Sequence, residues 1–229
     1  MPRPHALLLD LDGTLADTAA DLAGALNRLR AEEGLPAIAF DRIRPIASDG
    51  SRALLRIGFE LEPADPEYGP LQRRLLAHYR DAIAAETRLF PGMAELLGEL
   101  HRQAIPWGVV TNKPAWLTDP LMAALAVDPP PACVVSGDTV AHSKPDPEPL
   151  YYAARQIGAA PADCLYVGDA PRDVTAARAA AMPAVVAAWG YLPDHPPVDE
   201  WGAEAVLDHP TALQEWIEQR ARGGMPHAG

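Results

Sequence analysis

The sequence predicts an α/β protein: a parallel sheet wound with helices on both faces, carrying a small helical domain inserted after the first strand. Three observations support this. Short apolar runs alternate with helical periodicity over most of the chain. The interval from residue 15 to 90 keeps the helical pattern without strands. Acidic residues stand at the ends of two of the strand-like runs.

The run 6–10 is too short for a helix and apolar on both faces, as a strand covered on both sides must be. Runs at 107–111, 132–136, 164–168, 183–187 and 205–208 repeat the signal. Between them lie helical stripes at Met93/Leu96/Leu97/Leu100, Leu117/Leu121/Met122/Leu125, Leu150/Ala154/Ile157, Val174/Ala177/Ala181 and Leu213/Trp216/Ile217. Strand alternating with helix makes the core Rossmann-like. In the inserted interval, Leu22/Leu26/Leu29 and Leu71/Leu75/Tyr79/Ile83 form helical faces, and Ile43, Ile46, Leu54, Leu55 and Ile57 fit shorter helices. The expected layout is a discontinuous core at 1–14 and 91–222, a helical cap at 15–90, and a flexible tail at 223–229.

Composition narrows the function. With 31 acidic against 19 basic residues the net charge is −12, so a broad basic face for nucleic acid or an anionic membrane is not expected. The opening apolar run meets Asp10 before a signal or membrane span could be completed, which predicts a cytoplasmic protein. Cys133 and Cys164 lack zinc-site spacing and read as reduced core residues. His5, His142, His195 and His209 read as incidental, Asp17 as a helix cap, and Asp21 as a solvated side chain.

Asp10-Leu11-Asp12-Gly13-Thr14 ends the first strand, where open α/β sheets place ligands, and Gly13 permits a close backbone approach. A second acidic pair, Asp169 and Asp173, follows a later strand. Parallel topology brings both to one edge. Four carboxylates there repel one another unless a cation joins them, and hard oxygen ligands suit Mg²⁺. The chain has only two lysines, Lys113 and Lys144. Both precede proline and both follow strand candidates, which suits binding of a phosphoryl oxygen.

These residues resemble the haloacid dehalogenase superfamily of phosphatases, whose four motifs match Asp10 to Thr14, Thr111, Lys144, and Gly168-Asp169 with Asp173. The cap resembles that of the phosphoglycolate-phosphatase branch. Within it, stretches 43–53, 89–97, 107–114 and 201–210 are similar to the bacterial N-acetylmuramic acid 6-phosphate phosphatases. The resemblance implies that Asp10 attacks phosphorus and forms an aspartyl-phosphate, while Asp12 serves as acid and then base. It implies Mg²⁺ on Asp10, the Asp12 carbonyl and Asp169, with Thr111, Asn112 and Lys144 on the phosphoryl oxygens. Asp173 orients Lys144 or metal-bound water, and Gly13, Thr14 and Lys113 support the site.

Asp12 argues against a dehalogenase proper, and the lysine-free cap against a Schiff-base hydrolase or a mutase with a cap lysine. Phosphomonoester hydrolysis remains; a phosphate-binding relative without turnover is the alternative class. In the cap, Ser48 and Arg52 are the candidate substrate contacts. Arg52 is a bidentate partner for a substrate carboxylate or else a surface helix residue. The implied substrate is N-acetylmuramic acid 6-phosphate, with 2-phosphoglycolate the alternative. The chain is expected to act on this small molecule as a monomer or homodimer.

Overall fold

The structure, a computed structural model, describes residues 3–192 and 196–223. Its strands are β1 (Ala6–Leu9), β2 (Ala16–Asp17), β3 (Arg88–Leu89), β4 (Trp107–Val110), β5 (Cys133–Val135), β6 (Cys164–Gly168), β7 (Ala184–Ala187) and β8 (Ala205–Leu207). Its helices are α1 (Ala19–Glu32), α2 (Phe40–Ile43), α3 (Gly50–Phe59), α4 (Tyr68–Asp81), α5 (Met93–Arg102), α6 (Ala115–Leu125), α7 (Glu148–Ile157), α8 (Pro171–Ala179) and α9 (Pro210–Gly223). His195 and the tail beyond Gly223 lie outside the described residues.

Six strands form one parallel sheet in the order β5-β4-β1-β6-β7-β8. The alternation within β1 shows why its run is apolar throughout. Leu7 and Leu9 pack with Leu96, Leu97 and Leu100 of α5 and with Leu213 and Ile217 of α9. Ala6 and Leu8 point the other way, toward Leu150 and Ala153 of α7 and Val174 and Ala177 of α8. After β5 the chain crosses back over β1 to reach β6. β1 is therefore the point where strand order reverses, and its carboxyl end opens into the crevice between neighbouring loops.

The inserted layer packs α1, α3 and α4 around Leu22, Leu26, Leu29, Leu54, Leu55 and Leu75. It is not purely helical, as the sequence had suggested. β2 and β3 pair antiparallel, Ala16 opposite Leu89 and Asp17 opposite Arg88, where the chain leaves and re-enters the core. Two residues per strand leave no periodicity to read.

Asp21 also differs from expectation. It is 4% exposed, and its carboxylate accepts from Glu86 N (3.0 Å), Thr87 N (2.9 Å) and Thr87 Oγ1 (2.7 Å). Asp17 is turned toward the core: Tyr191 Oη donates to its Oδ1 at 2.6 Å and accepts from Thr18 N at 2.6 Å and Ala19 N at 3.0 Å. The α1 amino end is thus capped mainly by a tyrosine of the core, with Asp17 Oδ1 at 3.4 Å from Ala19 N. No described helix is long and apolar enough to cross a membrane, and both cysteines are free.

Asp21→Ala leaves the Glu86 and Thr87 donors without their acceptor. Urea unfolding should show a loss of about 3 kcal/mol, with Asp21→Asn losing less. A loss within about 0.5 kcal/mol, ordinary for a surface change, would mean that Asp21 does not secure the second linker.

Candidate active site

β1 delivers Asp10 to the crevice. Asp10 N continues the ladder to Val167 O at 2.9 Å, and its Oδ1 accepts from Leu11 N at 2.7 Å. Its Oδ2 makes no hydrogen bond among the described residues. The chain then turns tightly through Gly13, at φ +81°. A Cβ there would lie 2.0 Å from Asp169 Oδ2, so both the backbone angle and the close approach require glycine.

Lys144 is buried at the centre. Its Nζ lies 3.0 Å from Asp10 Oδ1, 2.7 Å from Asp173 Oδ1, 2.7 Å from Tyr166 Oη and 2.8 Å from Val110 O. Asn112 fixes the loop that carries it. The Asn112 amide donates to Lys144 O at 2.8 Å and accepts from Lys144 N at 3.0 Å. The side chain of Asn112, a residue expected at the phosphate, is thus committed to the Lys144 backbone. Thr111 is buried beside it, and its Oγ1 accepts from Lys113 N at 3.1 Å.

β6 brings Asp169 and Asp173 to the same edge. Asp10, Asp169 and Asp173 each offer a carboxylate oxygen within 4.8 Å of the others, and all three are buried. Asp173 is already engaged: Oδ1 faces Lys144, and Oδ2 accepts from Ala170 N at 3.0 Å at the start of α8. Asp169 Oδ2 accepts from Tyr191 N at 2.9 Å and Ser48 Oγ at 2.7 Å, with Thr14 Oγ1 at 3.5 Å from Oδ1. Burial pushes Asp10 up to about 6 against the pull of Lys144, and burial with the Asp10 and Asp173 charges pushes Asp169 up to about 7. A second acidic group, His142, Asp146 and Glu148, is largely exposed, with the histidine paired to Glu148.

Asp12 is held by a different set of partners. Its Oδ1 accepts from Thr18 Oγ1 at 2.6 Å and from Lys113 Nζ at 2.9 Å. Its Oδ2, like that of Asp10, makes no hydrogen bond among the described residues. Lys113, read from sequence as an accessory, is 6% exposed and also reaches Tyr79 Oη of α4 at 3.0 Å. Burial opposes its charge, but Asp12 and Tyr79 outweigh that and hold the ammonium above its ordinary range.

The cap reaches the site through Ser48, whose Oγ also lies 3.2 Å from the Asp12 carbonyl oxygen. Arg172, beside Asp173, holds the Ser48 loop from the core side through Ser48 O at 2.7 Å and Asp49 Oδ1 at 2.8 Å. Arg52 is not brought to the carboxylates. It is 61% exposed and paired with Glu62 at 3.1 Å, so the surface reading of this arginine describes it. Tyr166, Arg172, Thr18 and Tyr79 were missed in the sequence. The first two lay inside recognised segments, where an apolar run hid the tyrosine and two aspartates drew attention from the arginine.

Lys144→Ala removes the charge that reconciles Asp10 with Asp173. At pH 8 the loss should be about 3–5 kcal/mol, as for breaking a buried ion pair. Lys113→Ala should cost less, since Asp12 keeps the Thr18 hydroxyl. Denaturant unfolding of the two variants at that pH checks the ranking, and equal losses would contradict it.

A sequence profile described as haloacid dehalogenase-like hydrolase matches residues 7–187. A phosphoglycolate phosphatase of Xanthomonas campestris pv. campestris is 42% identical over 214 residues, covering 93% of this chain and 96% of its own. An N-acetylmuramic acid 6-phosphate phosphatase of Pseudomonas putida is 38% identical over 221 residues, covering 96% and 99%. The two groups match at similar identity, so similarity does not single out the muramic acid phosphatases as the sequence stretches had suggested. A crystal structure described as a predicted phosphoglycolate phosphatase from Haemophilus somnus 129PT superposes with a TM-score of 0.82 at 26% identity, covering 94% of this chain and 99% of that one. With its parallel core, inserted cap and buried aspartates converging on β1, the chain belongs to the haloacid dehalogenase-like hydrolases, in their phosphoglycolate-phosphatase-like branch.

Proposed function

We propose that this hydrolase is a Mg²⁺-dependent phosphomonoesterase that works through an aspartyl-phosphate on Asp10, with a small carboxylate-bearing ester as substrate. One observation carries the reading. Asp10 and Asp12, on one loop, each have Oδ1 held by protein donors and Oδ2 without a hydrogen bond among the described residues. A two-step transfer needs such a pair, one oxygen to attack and one to exchange a proton.

The donor set fits a hard divalent cation. Asp10 and Asp169 offer buried carboxylates, the Asp12 carbonyl adds a third oxygen, and Asp173 is committed to Lys144 and Ala170. When bound there, Mg²⁺ supplies positive charge against the phosphoryl oxygens and lowers the repulsion between the carboxylates. Asp10 attacks phosphorus, and Asp12 Oδ2 gives its proton to the departing alkoxide. Asp12 then takes a proton from the water that cleaves the aspartyl-phosphate. Lys144, exchanging one of the four acceptors it faces for a phosphoryl oxygen, and Thr111 hold the transferring group in line.

For the leaving group we favour 2-phosphoglycolate over N-acetylmuramic acid 6-phosphate. Ser48 lies directly on Asp169 and the Asp12 carbonyl, and Tyr79 on Lys113, so cap side chains stand close to the reacting carboxylates. The 42% identical phosphoglycolate phosphatase supports the same choice. The muramic reading keeps the support of the 38% identical relative.

The test is kcat/KM for both esters with one enzyme preparation at one pH and Mg²⁺ concentration. 2-Phosphoglycolate should be preferred, and Asp10→Asn should retain less than about a tenth of turnover, a lenient cut beside the 10²–10⁴-fold worth of positioned groups. A clear preference for the muramic ester would reverse the substrate choice, and a fully active Asp10→Asn would end the nucleophile assignment.

Metal and pH should be linked. In the metal-free protein, Asp10 and Asp169 hold protons up to about 6 and about 7, against 3.8 when exposed. Their contribution to stability is present below 3.8 and is lost as pH rises through those values. Mg²⁺ competes with these protons, so it should raise the unfolding temperature more at pH 8 than at pH 5.5. Equal shifts, or none, would contradict binding at these carboxylates, and EDTA should reverse the pH 8 shift.

A further inference from the structure

Lys113 is held more firmly than an accessory loop residue needs to be. Its N–H bonds Thr111 Oγ1 at 3.1 Å, and its carbonyl accepts from Gly137 N at 2.8 Å and Thr118 Oγ1 at 3.1 Å. Its side chain is directed from the core toward Tyr79, a residue of the cap that is 1% exposed. The ammonium lies 3.0 Å from Tyr79 Oη, 4.5 Å from the ring centroid and 2.9 Å from Asp12 Oδ1. Nearby, Arg80 of the same cap helix lies over Trp116 of α6, 6.0 Å from the ring centroid. The carboxyl end of α4 therefore meets the amino end of α6 at the residue that grips Asp12.

We propose that Lys113 and Tyr79 are a positioning pair for the acid/base. Tyr79 sets the Lys113 ammonium on Asp12 Oδ1, which fixes the carboxyl plane and leaves Oδ2 as the oxygen that exchanges the proton with the leaving group. Because Tyr79 belongs to the cap, this arrangement is complete only when α4 is seated over α6. The assignment rests on the reading of Asp12 as general acid.

A positioned acid matters in proportion to the basicity of the leaving oxygen. An alkoxide needs the proton as the P–O bond breaks, whereas p-nitrophenolate leaves without it. kcat/KM ends at the first irreversible step, departure of the alcohol, so later hydrolysis of the aspartyl-phosphate does not enter the comparison. The experiment measures kcat/KM of wild type, Lys113→Met, Lys113→Arg and Tyr79→Phe on p-nitrophenyl phosphate and on whichever of 2-phosphoglycolate or glycerol phosphate the wild type hydrolyses faster. The alkyl-to-aryl ratio should fall by at least about tenfold in Lys113→Met, within the 10²–10⁴-fold worth of a positioned acid. It should fall by about threefold or more in Tyr79→Phe, which keeps the ring and drops the hydroxyl, and least in Lys113→Arg, which keeps the charge. Equal losses on the two esters would overturn the proposal and reduce Lys113 to a structural or phosphoryl contact. An unchanged ratio in Tyr79→Phe would remove Tyr79 from the pair. If Lys113→Met does not fold, the arginine and phenylalanine variants decide by the same ratio. A wild type inactive on every ester would instead refute the phosphatase reading.

Discussion

One buried ammonium makes the catalytic edge of this sheet tenable. Asp10 and Asp169 follow β1 and β6, which parallel pairing fixes in register, and Asp173 joins them from the first turn of α8. Desolvated carboxylates at such spacing resist ionisation, and burial holds Asp10 and Asp169 above the ordinary carboxylate range. Lys144 touches two of the three. Its own desolvation is offset only because Tyr166 and the Val110 carbonyl complete its shell, which leaves no hydrogen of the ammonium unsatisfied. Much nearby detail serves that placement: the Asn112 amide clamps the Lys144 peptide, and Asp173 is turned by the first turn of α8. Asp169, which Lys144 does not reach, is held by backbone and hydroxyl donors from Tyr191 and Ser48.

Polar contacts in several places tie the cap to itself and to this edge. Asp21 binds the returning linker to the first cap helix, the Ser48 loop rests on Asp169 and is gripped by Arg172, and Tyr79 meets Lys113. These contacts are polar and directional, and they surround an apolar cluster built mainly by the cap helices. Leu117 of α6, Phe90 and Tyr191 complete the cap's apolar cluster, so cap and core share buried surface as well as hydrogen bonds.

The sheet was legible because its physics is local. A strand covered on both faces must be apolar throughout, and six such runs announced six strands. The lysines were legible because the chain has only two and both follow apolar runs, and the aspartates because each pair closes such a run. What escaped was non-local. β2 and β3 are defined only by each other across the whole cap. Asp21 looked like a solvated first-turn acid because its donors are backbone groups at the far end of the insertion. The Asn112 side chain is set by a peptide in another loop, a pairing that no local pattern announces. Arg52 was a reasonable carboxylate ligand until Glu62, beyond the end of α3, supplied a carboxylate from the chain itself.

Tyr191 has a wider consequence. Its N–H holds Asp169, its hydroxyl caps α1 and bonds Asp17, its ring lies under Arg44 at 4.9 Å and packs against Phe90. One residue of the core thus references both the catalytic edge and the start of the insertion. The insertion is therefore not an interchangeable module. A foreign cap spliced in at the two linkers would inherit this tyrosine without the Asp17 carboxylate, the α1 amide ends and the Arg44 guanidinium shaped around it. Its pivot would be set independently of Asp169. Recombining caps among relatives to obtain new specificities would then have to carry Tyr191 and its contacts as one inherited block, divided between distant stretches of the chain.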